Sequence, residues 1–324
     1  MPNKRSSLRR PPKSKSPWTQ RYGSLTLYAP RTRWNQQSHT TAYVSAYRYE
    51  EARLDASLPR TYRSVKGAAM PAGKCIVLCA TQRTGSSMVF DDLLNVLGHG
   101  RADGELLYTT IIRSRTRQSW KNTWRFVRHR NTFSGLSINK VMFHYVAHLS
   151  GFIAGIPVER PRPVLEFKPE RFEHFHTFFR DSIWVYVERI DVFAQAVSMY
   201  IAETTDIWER LPGATDTCVQ STRALPYDSA LLKSYLYKFL QERRGWQRFF
   251  EYYDIDAVKI TYEDAVATYP SYLFELLARA GVDARSPYPE RRMLKLGDAR
   301  NDRLAAQLRE DVLTELYMHS LVAP

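Results

Sequence analysis

The sequence predicts an α/β domain with a mostly parallel central sheet flanked by helices, and three observations predict it. Short, nearly unbroken apolar runs recur between residues 75 and 262, each about the length of one buried strand. Stretches with helical spacing separate them, and strand–helix alternation builds parallel sheets because the return crossover needs a helix. The first run passes through a polar, glycine-containing loop straight into a helix pattern.

In chain order, residues 1–17 carry Pro11, Pro12 and Pro17 among alternating Ser and Lys, a composition that buries too little apolar surface to fold. Residues 18–62 hold aromatic and β-branched patches that fit a hairpin or a short helix, and Pro71-Ala72-Gly73 then punctuate the chain. Residues 1–70 are thus expected to be a basic, largely disordered or weakly ordered leader, and 71–324 a single domain. "CIVLCA" (75–80) is the first strand, with Cys75 and Cys79 on one face of it. After the loop, "SSMVFDDLLNVLG" spaces Met88, Leu93, Leu94 and Leu97 as a helix that Gly98 is placed to end. "INKVMF" (138–143) and "SIWVYVE" (182–188) read as buried strands, and 191–204 as a helix. A long amphipathic helix over 229–252, a strand over "AVKITY" (257–262) and a helix over 264–280, closed by Gly281, complete the pattern.

The formal charge of +14 suggests nucleic acid until it is located. Residues 1–70 hold 14 Lys or Arg against Glu50, Glu51 and Asp55, so the leader carries +11 and the remaining chain only +3. A basic arm of this kind suits an anionic surface or a nucleic acid, and equally a solvated tail. No apolar run approaches the roughly 18–20 residues that span a bilayer, and no apolar segment of a secretory signal follows the basic start. Cys75, Cys79 and Cys218 are too few for a disulfide framework, so a reducing, cytoplasmic compartment is expected, with membrane contact at most peripheral.

Chemistry concentrates in two places. The loop Thr81-Gln82-Arg83-Thr84-Gly85-Ser86-Ser87 opens a helix, whose unpaired N–H groups and positive dipole end favour phosphate. Gly85 lets the backbone approach closely, Ser86 and Ser87 supply hydroxyls, and Arg83 a fixed positive charge. The spacing and lysine of a Walker A loop are absent. Taken alone, the loop also fits an ordinary helix start with Ser86 as N-cap. The second place is "VERIDVFAQAVSMYIAETTDIW", where Arg189 follows a strand at its carboxyl edge and Ser198 lies on the next helix. Ligands of open α/β sheets bind at such edges, which brings Arg189 and Ser198 to the first loop's crevice as holders of a second phosphate.

These segments resemble a known family. "CIVLCATQRTGSSMVFDDLL" is similar to the 5′-phosphosulfate loop of bacterial PAPS-dependent carbohydrate sulfotransferases of the trehalose and nodulation-factor type, and "VERIDVFAQAVSMYIAETTDIW" to their 3′-phosphate segment. "GHGRADGELLY", "KITYEDAVATYP" and "LKLGDARNDRLAAQLRED" resemble further segments in the same order, over about residues 74–311. The resemblance implies a P-loop-like sulfotransferase fold, PAPS as donor, PAP as product and no metal. It implies that Gln82, Arg83, Thr84, Gly85, Ser86 and Ser87 cradle the 5′-phosphosulfate, with Arg83 stabilising charge at the bridging oxygen. Arg189 and Ser198 would hold the 3′-phosphate. Glu105 is the implied general base, with Asp103 as competitor because "RADGELLY" departs from the family's more usual "GEP" context. His144 is a candidate for acid–base assistance or a packed core histidine, and Lys140 a polar neighbour; Lys295 and Arg300 are candidates to close over the nucleotide. The expected partners are a carbohydrate or glycolipid acceptor, drawn into segments 113–137 and 211–228, an anionic surface for the leader, and a second copy of the chain. The competing readings are another P-loop-like phosphotransferase and a nucleic-acid-binding protein acting through the leader.

Overall fold

A computed structural model describes residues 74–158, 161–208, 225–283, 287–293, 297 and 299–322. The expectations placed on the leader, on Cys218 and Lys295, and on most of 211–228 lie outside these residues.

Five strands form one sheet in the order β2-β3-β1-β4-β5. Strand β1 (Cys75–Ala80) runs parallel to β3 (Leu136–Met142) on one side and to β4 (Ile183–Glu188) on the other, and β4 is parallel to β5 (Val258–Thr261). Residues 76–80 are fully buried, as a central strand covered on both faces requires. The edge strand β2 (Thr132–Phe133) is antiparallel to β3 across a tight turn at Ser134 and Gly135, both with positive φ. The mostly parallel α/β architecture is the one the sequence predicts.

Helix α1 (Ser86–Val96) follows β1, and a π-helical turn (Tyr108–Arg113) leads to α2 (Trp120–Arg130). Helices α3 (Phe143–Ile153) and α4 (Pro169–Phe179) join β3 to β4, and α5 (Val192–Thr205) and α6 (Ser229–Tyr252) join β4 to β5. The single helix expected over 264–280 is divided into α7 (Tyr262–Ala267), a 3-10 turn (Ser271–Leu273) and α8 (Phe274–Ala280). Pro270 lies at the division, where it supplies no N–H to a continuing helix. The chain closes on α9 (Ala299–Val322), a helix that the sequence reading left unassigned.

The long helix α6 is seated by aromatic packing. Phe249 is buried against Phe172, Phe175 and Trp184, Trp246 against Phe143 and Phe250 against Tyr186, and the Trp246 indole N–H donates to the Ala80 carbonyl at 2.8 Å. That bond ties the middle of α6 to the last residue of β1, directly behind the loop. Gly245 makes the approach feasible, since a Cβ there would sit 2.6 Å from Cε1 of the buried Phe143 ring. Gly245→Ala is therefore expected to destabilise the fold by about 1–3 kcal/mol through overpacking, although Ala is the better helix former by ~1 kcal/mol. Thermal melting checks this. An unchanged or raised Tm would show that the Phe143 ring moves aside freely.

Candidate active site

Every parallel strand delivers functional residues at its carboxyl end. Residues 81–87 follow β1, His144 follows β3, Arg189 follows β4, and Tyr262 and Glu263 follow β5. From β1 the chain goes on to neighbour β3, whereas from β4 it goes on to neighbour β5, so the loop lies at the switch point where open α/β sheets bind ligands.

The loop is built by two left-handed residues, Arg83 (φ 64°) and Gly85 (φ 82°). Gly85, not Ser86, is the N-cap of α1, and no side chain caps that helix end. The N-terminal N–H groups are thus left to whatever anion enters. A Cβ at Gly85 would meet the Tyr262 ring at 2.6 Å, so glycine is needed for both its φ and its lack of bulk. Thr84 Oγ1 donates to the Thr81 carbonyl at 2.9 Å, closing the loop on itself. Gln195 of α5 fastens it from outside, its Nε2 donating to Thr81 Oγ1 at 2.7 Å and to the Gln82 carbonyl at 2.6 Å.

Arg83 turns away from the loop towards α5. Its Nε donates to Ser198 Oγ at 3.0 Å and its Nη1 to the Trp208 carbonyl at 2.8 Å. The loop and Ser198 are therefore brought together directly. Arg189 does not bond to Ser198; its guanidinium stacks on Tyr262, 4.7 Å from the ring centroid, and its Nε is buried without a hydrogen-bond partner. Tyr262 thus packs between Gly85 and Arg189, and an orphaned buried N–H of a permanent cation is suited to an incoming anion. Glu263 accepts from the backbone N–H groups of Ile190 (3.0 Å) and Asp191 (3.3 Å), fixing the segment that carries Arg189.

On the other side of the loop, Lys140 joins two of the sequence-predicted residues. Its Nζ donates to Ser87 Oγ at 2.7 Å and lies 3.0 Å from Glu105 Oε1. The Lys140 N–H also donates to the Gly104 carbonyl at 3.0 Å, which holds the Glu105 segment against the end of β3. Burial works to raise the Glu105 carboxyl, but the Lys140 charge and hydrogen bond, with His144 further off, outweigh it and hold the pKa below the ordinary glutamate value. Asp103 is exposed and occupied: its carboxylate accepts from the Glu105 N–H at 2.8 Å and from Thr109 Oγ1 at 3.2 Å. His144 is buried, with Nδ1 3.6 Å from Glu242 Oε1. Arg300 donates to the Leu225 carbonyl.

Residues 163–311 match the family model described as Stf0 sulphotransferase. Over this segment, a little under half of the chain, the protein is similar to the Stf0 sulphotransferase family. No curated protein matches the chain. The Stf0 segment contains Arg189, Ser198 and Gln195, whereas loop 81–87, Glu105, Lys140 and His144 precede it. What joins the two halves is the shared sheet, in which β1 lies between β3 and the β4 of the Stf0 segment. Sulfuryl transfer is the activity the family name carries. The Stf0 segment also includes Lys238 and Glu242 of α6, for which the sequence offered no signal beyond an amphipathic helix. Among the described residues, no helix is long and apolar enough to cross a membrane, and no group of three His, Cys, Asp or Glu residues is placed to hold a metal ion.

Proposed function

We propose that the protein transfers a sulfuryl group from PAPS to a hydroxyl of a carbohydrate or glycolipid. One observation carries the reading: a single loop is linked through Arg83 to Ser198 and through Ser87 and Lys140 to Glu105. An anion cradle, a second anion position and an ionised carboxylate therefore converge on one helix start. PAPS, when bound, supplies an activated sulfuryl group, whose transfer calls mainly for positioning and charge stabilisation.

In this reading Thr84, Gly85, Ser86 and Ser87 present N–H and O–H donors to the 5′-phosphosulfate, with Gln82 at the loop's edge. Arg83, drawn towards α5, joins Arg189 and Ser198 at the 3′-phosphate. Lys140 takes the charge-stabilising part at the loop that was expected of Arg83. Glu105 accepts the proton of the acceptor hydroxyl, and His144 borders it as an assisting group. Asp103 is set aside because its carboxylate already closes the turn that carries Glu105. The acceptor enters beside residues 113–137, and the leader contacts an anionic surface. A cytoplasmic setting and a homodimer complete the proposal.

PAP at about 100 times its Kd is expected to stabilise the protein by about 2.7 kcal/mol without Mg²⁺, while ATP with Mg²⁺ leaves Tm unchanged. Stabilisation by ATP–Mg²⁺ alone would point to a phosphotransferase instead. A screen of sugar and glycolipid acceptors with labelled PAPS then identifies the product.

A further inference from the structure

Helix α6 turns three residues, four apart, towards the base of the loop: Lys238, Glu242 and Trp246. Trp246 is the anchor on the Ala80 carbonyl. The other two form a buried charged group that the reading above does not use. Lys238 is buried, and its Nζ donates to the Gln82 side-chain oxygen in the loop. Glu242 has no exposed surface, and neither of its carboxylate oxygens accepts a hydrogen bond. The groups facing it are Lys238 Nζ at 3.9 Å and His144 Nδ1 at 3.6 Å, the latter also buried without a hydrogen-bond partner.

A buried ammonium and a buried carboxylate are costly, and their attraction offsets that cost only in good geometry with further hydrogen bonds. Here the pair is held just beyond hydrogen-bond distance, so the carboxylate neutralises Lys238 without capturing it. The ammonium leans instead onto a neutral amide, a weaker partner than an anionic oxygen. Gln82 is fixed by its backbone carbonyl on Gln195, which leaves its side-chain amide exchangeable.

We propose that Lys238 is a further anion-binding group of the site, which passes from the Gln82 amide to the phosphosulfate oxygens when the loop is filled, with Glu242 as its positioning residue. A further cation is thereby delivered to the loop by a helix more than 150 residues further on. The inference rests on the loop being the PAPS site.

The test compares the wild type with K238M, E242Q, the double variant K238M/E242Q and the control K233M, whose lysine lies on the same helix as Lys238 and pairs with Glu315 of α9. PAP titration, PAPS steady-state kinetics and Tm are measured for each. K238M is expected to lower kcat by about 10²-fold, the loss of one charge-stabilising donor, with K233M within about twofold of wild type. E242Q is expected to fall by about tenfold, and the double variant to match K238M, because Glu242 acts through Lys238. The double variant leaves neither of these two charges buried alone, so it keeps the test decisive if K238M alone unfolds. A folded K238M or double variant with wild-type kcat, or a double variant whose loss is the product of the two single losses, would overturn the inference. A wild type that binds PAP but not ATP–Mg²⁺ keeps the PAPS reading intact in that event; one that does not bind PAP overturns both.

Discussion

Glu105→Gln is expected to lower kcat by about 10²–10⁴-fold, the contribution of a general base, while PAP affinity stays within about threefold of wild type. The split follows from position. Glu105 touches the loop only through Lys140, so the amide removes the proton acceptor and leaves the nucleotide's donors in place. The pH profile carries a second signature. With its carboxyl held below 4.5, Glu105 is ionised throughout the neutral range, and the acid limb of kcat/KM that it produces falls below that value. Lys140→Met removes the nearest charge and the hydrogen bond that hold it down, so that limb moves to higher pH. The same sign governs stability. A carboxyl lowered on folding contributes stability above its unfolded pKa and loses it as pH falls through the folded value. An E105Q enzyme with wild-type kcat, or an acid limb unmoved in K140M, would remove Glu105 from the role.

Arg291→Met is expected to be the most damaging of the single substitutions for stability, by about 3–5 kcal/mol, or roughly 10 °C in Tm. Arg291 Nε lies 3.1 and 3.0 Å from the two oxygens of Asp92, a residue of α1 with no exposed surface. Its Nη2 lies 2.8 Å from Asp92 Oδ2 and donates to the Ala265 carbonyl at 2.5 Å, and the guanidinium stacks on Tyr269. Without it, Asp92 keeps only the Tyr272 hydroxyl, at 2.7 Å. Burial already raises the Asp92 carboxyl despite Arg291 and Tyr272, which pull it down. A carboxyl raised on folding opposes the fold above its unfolded pKa, near 4, so the deficit of R291M is largest at neutral pH and narrows as the medium is acidified. Restoring most of the Tm with D92N/R291M would confirm that the lone charge is the cause. A deficit that ignores pH would assign it to lost packing instead.

The strands were legible because a central parallel strand is apolar on both faces and reads as an unbroken run. "CIVLCA" coincides with β1, and "SIWVYVE" and "AVKITY" exceed β4 and β5 by one and two residues. Helix α6 was legible to the residue because Asp228 caps it, accepting from the Leu231 N–H, and its apolar spacing persists for six turns. Helices α3 and α4 were not read. Phe143–Ile153 is apolar on nearly all sides and shows no helical stripe, and the aromatic run of Pro169–Phe179 blurs the one it has. The division near Pro270 was signalled by the proline itself and passed over in favour of the flanking helical pattern.

Within the site, the loop, Gly85's special backbone and the sheet edge on which Arg189 stands follow from the residues alone. Those are local properties: a φ above zero, a helix start, a strand end. Where the cations point follows instead from the packing of distant elements. Arg83 reaches Ser198, 115 positions away, Lys140 reaches Ser87 across 53, and Lys238 reaches Gln82 across 156. A long side chain's partner is set by which elements pack beside it, and that packing is a non-local outcome of burying one aromatic core around Trp246.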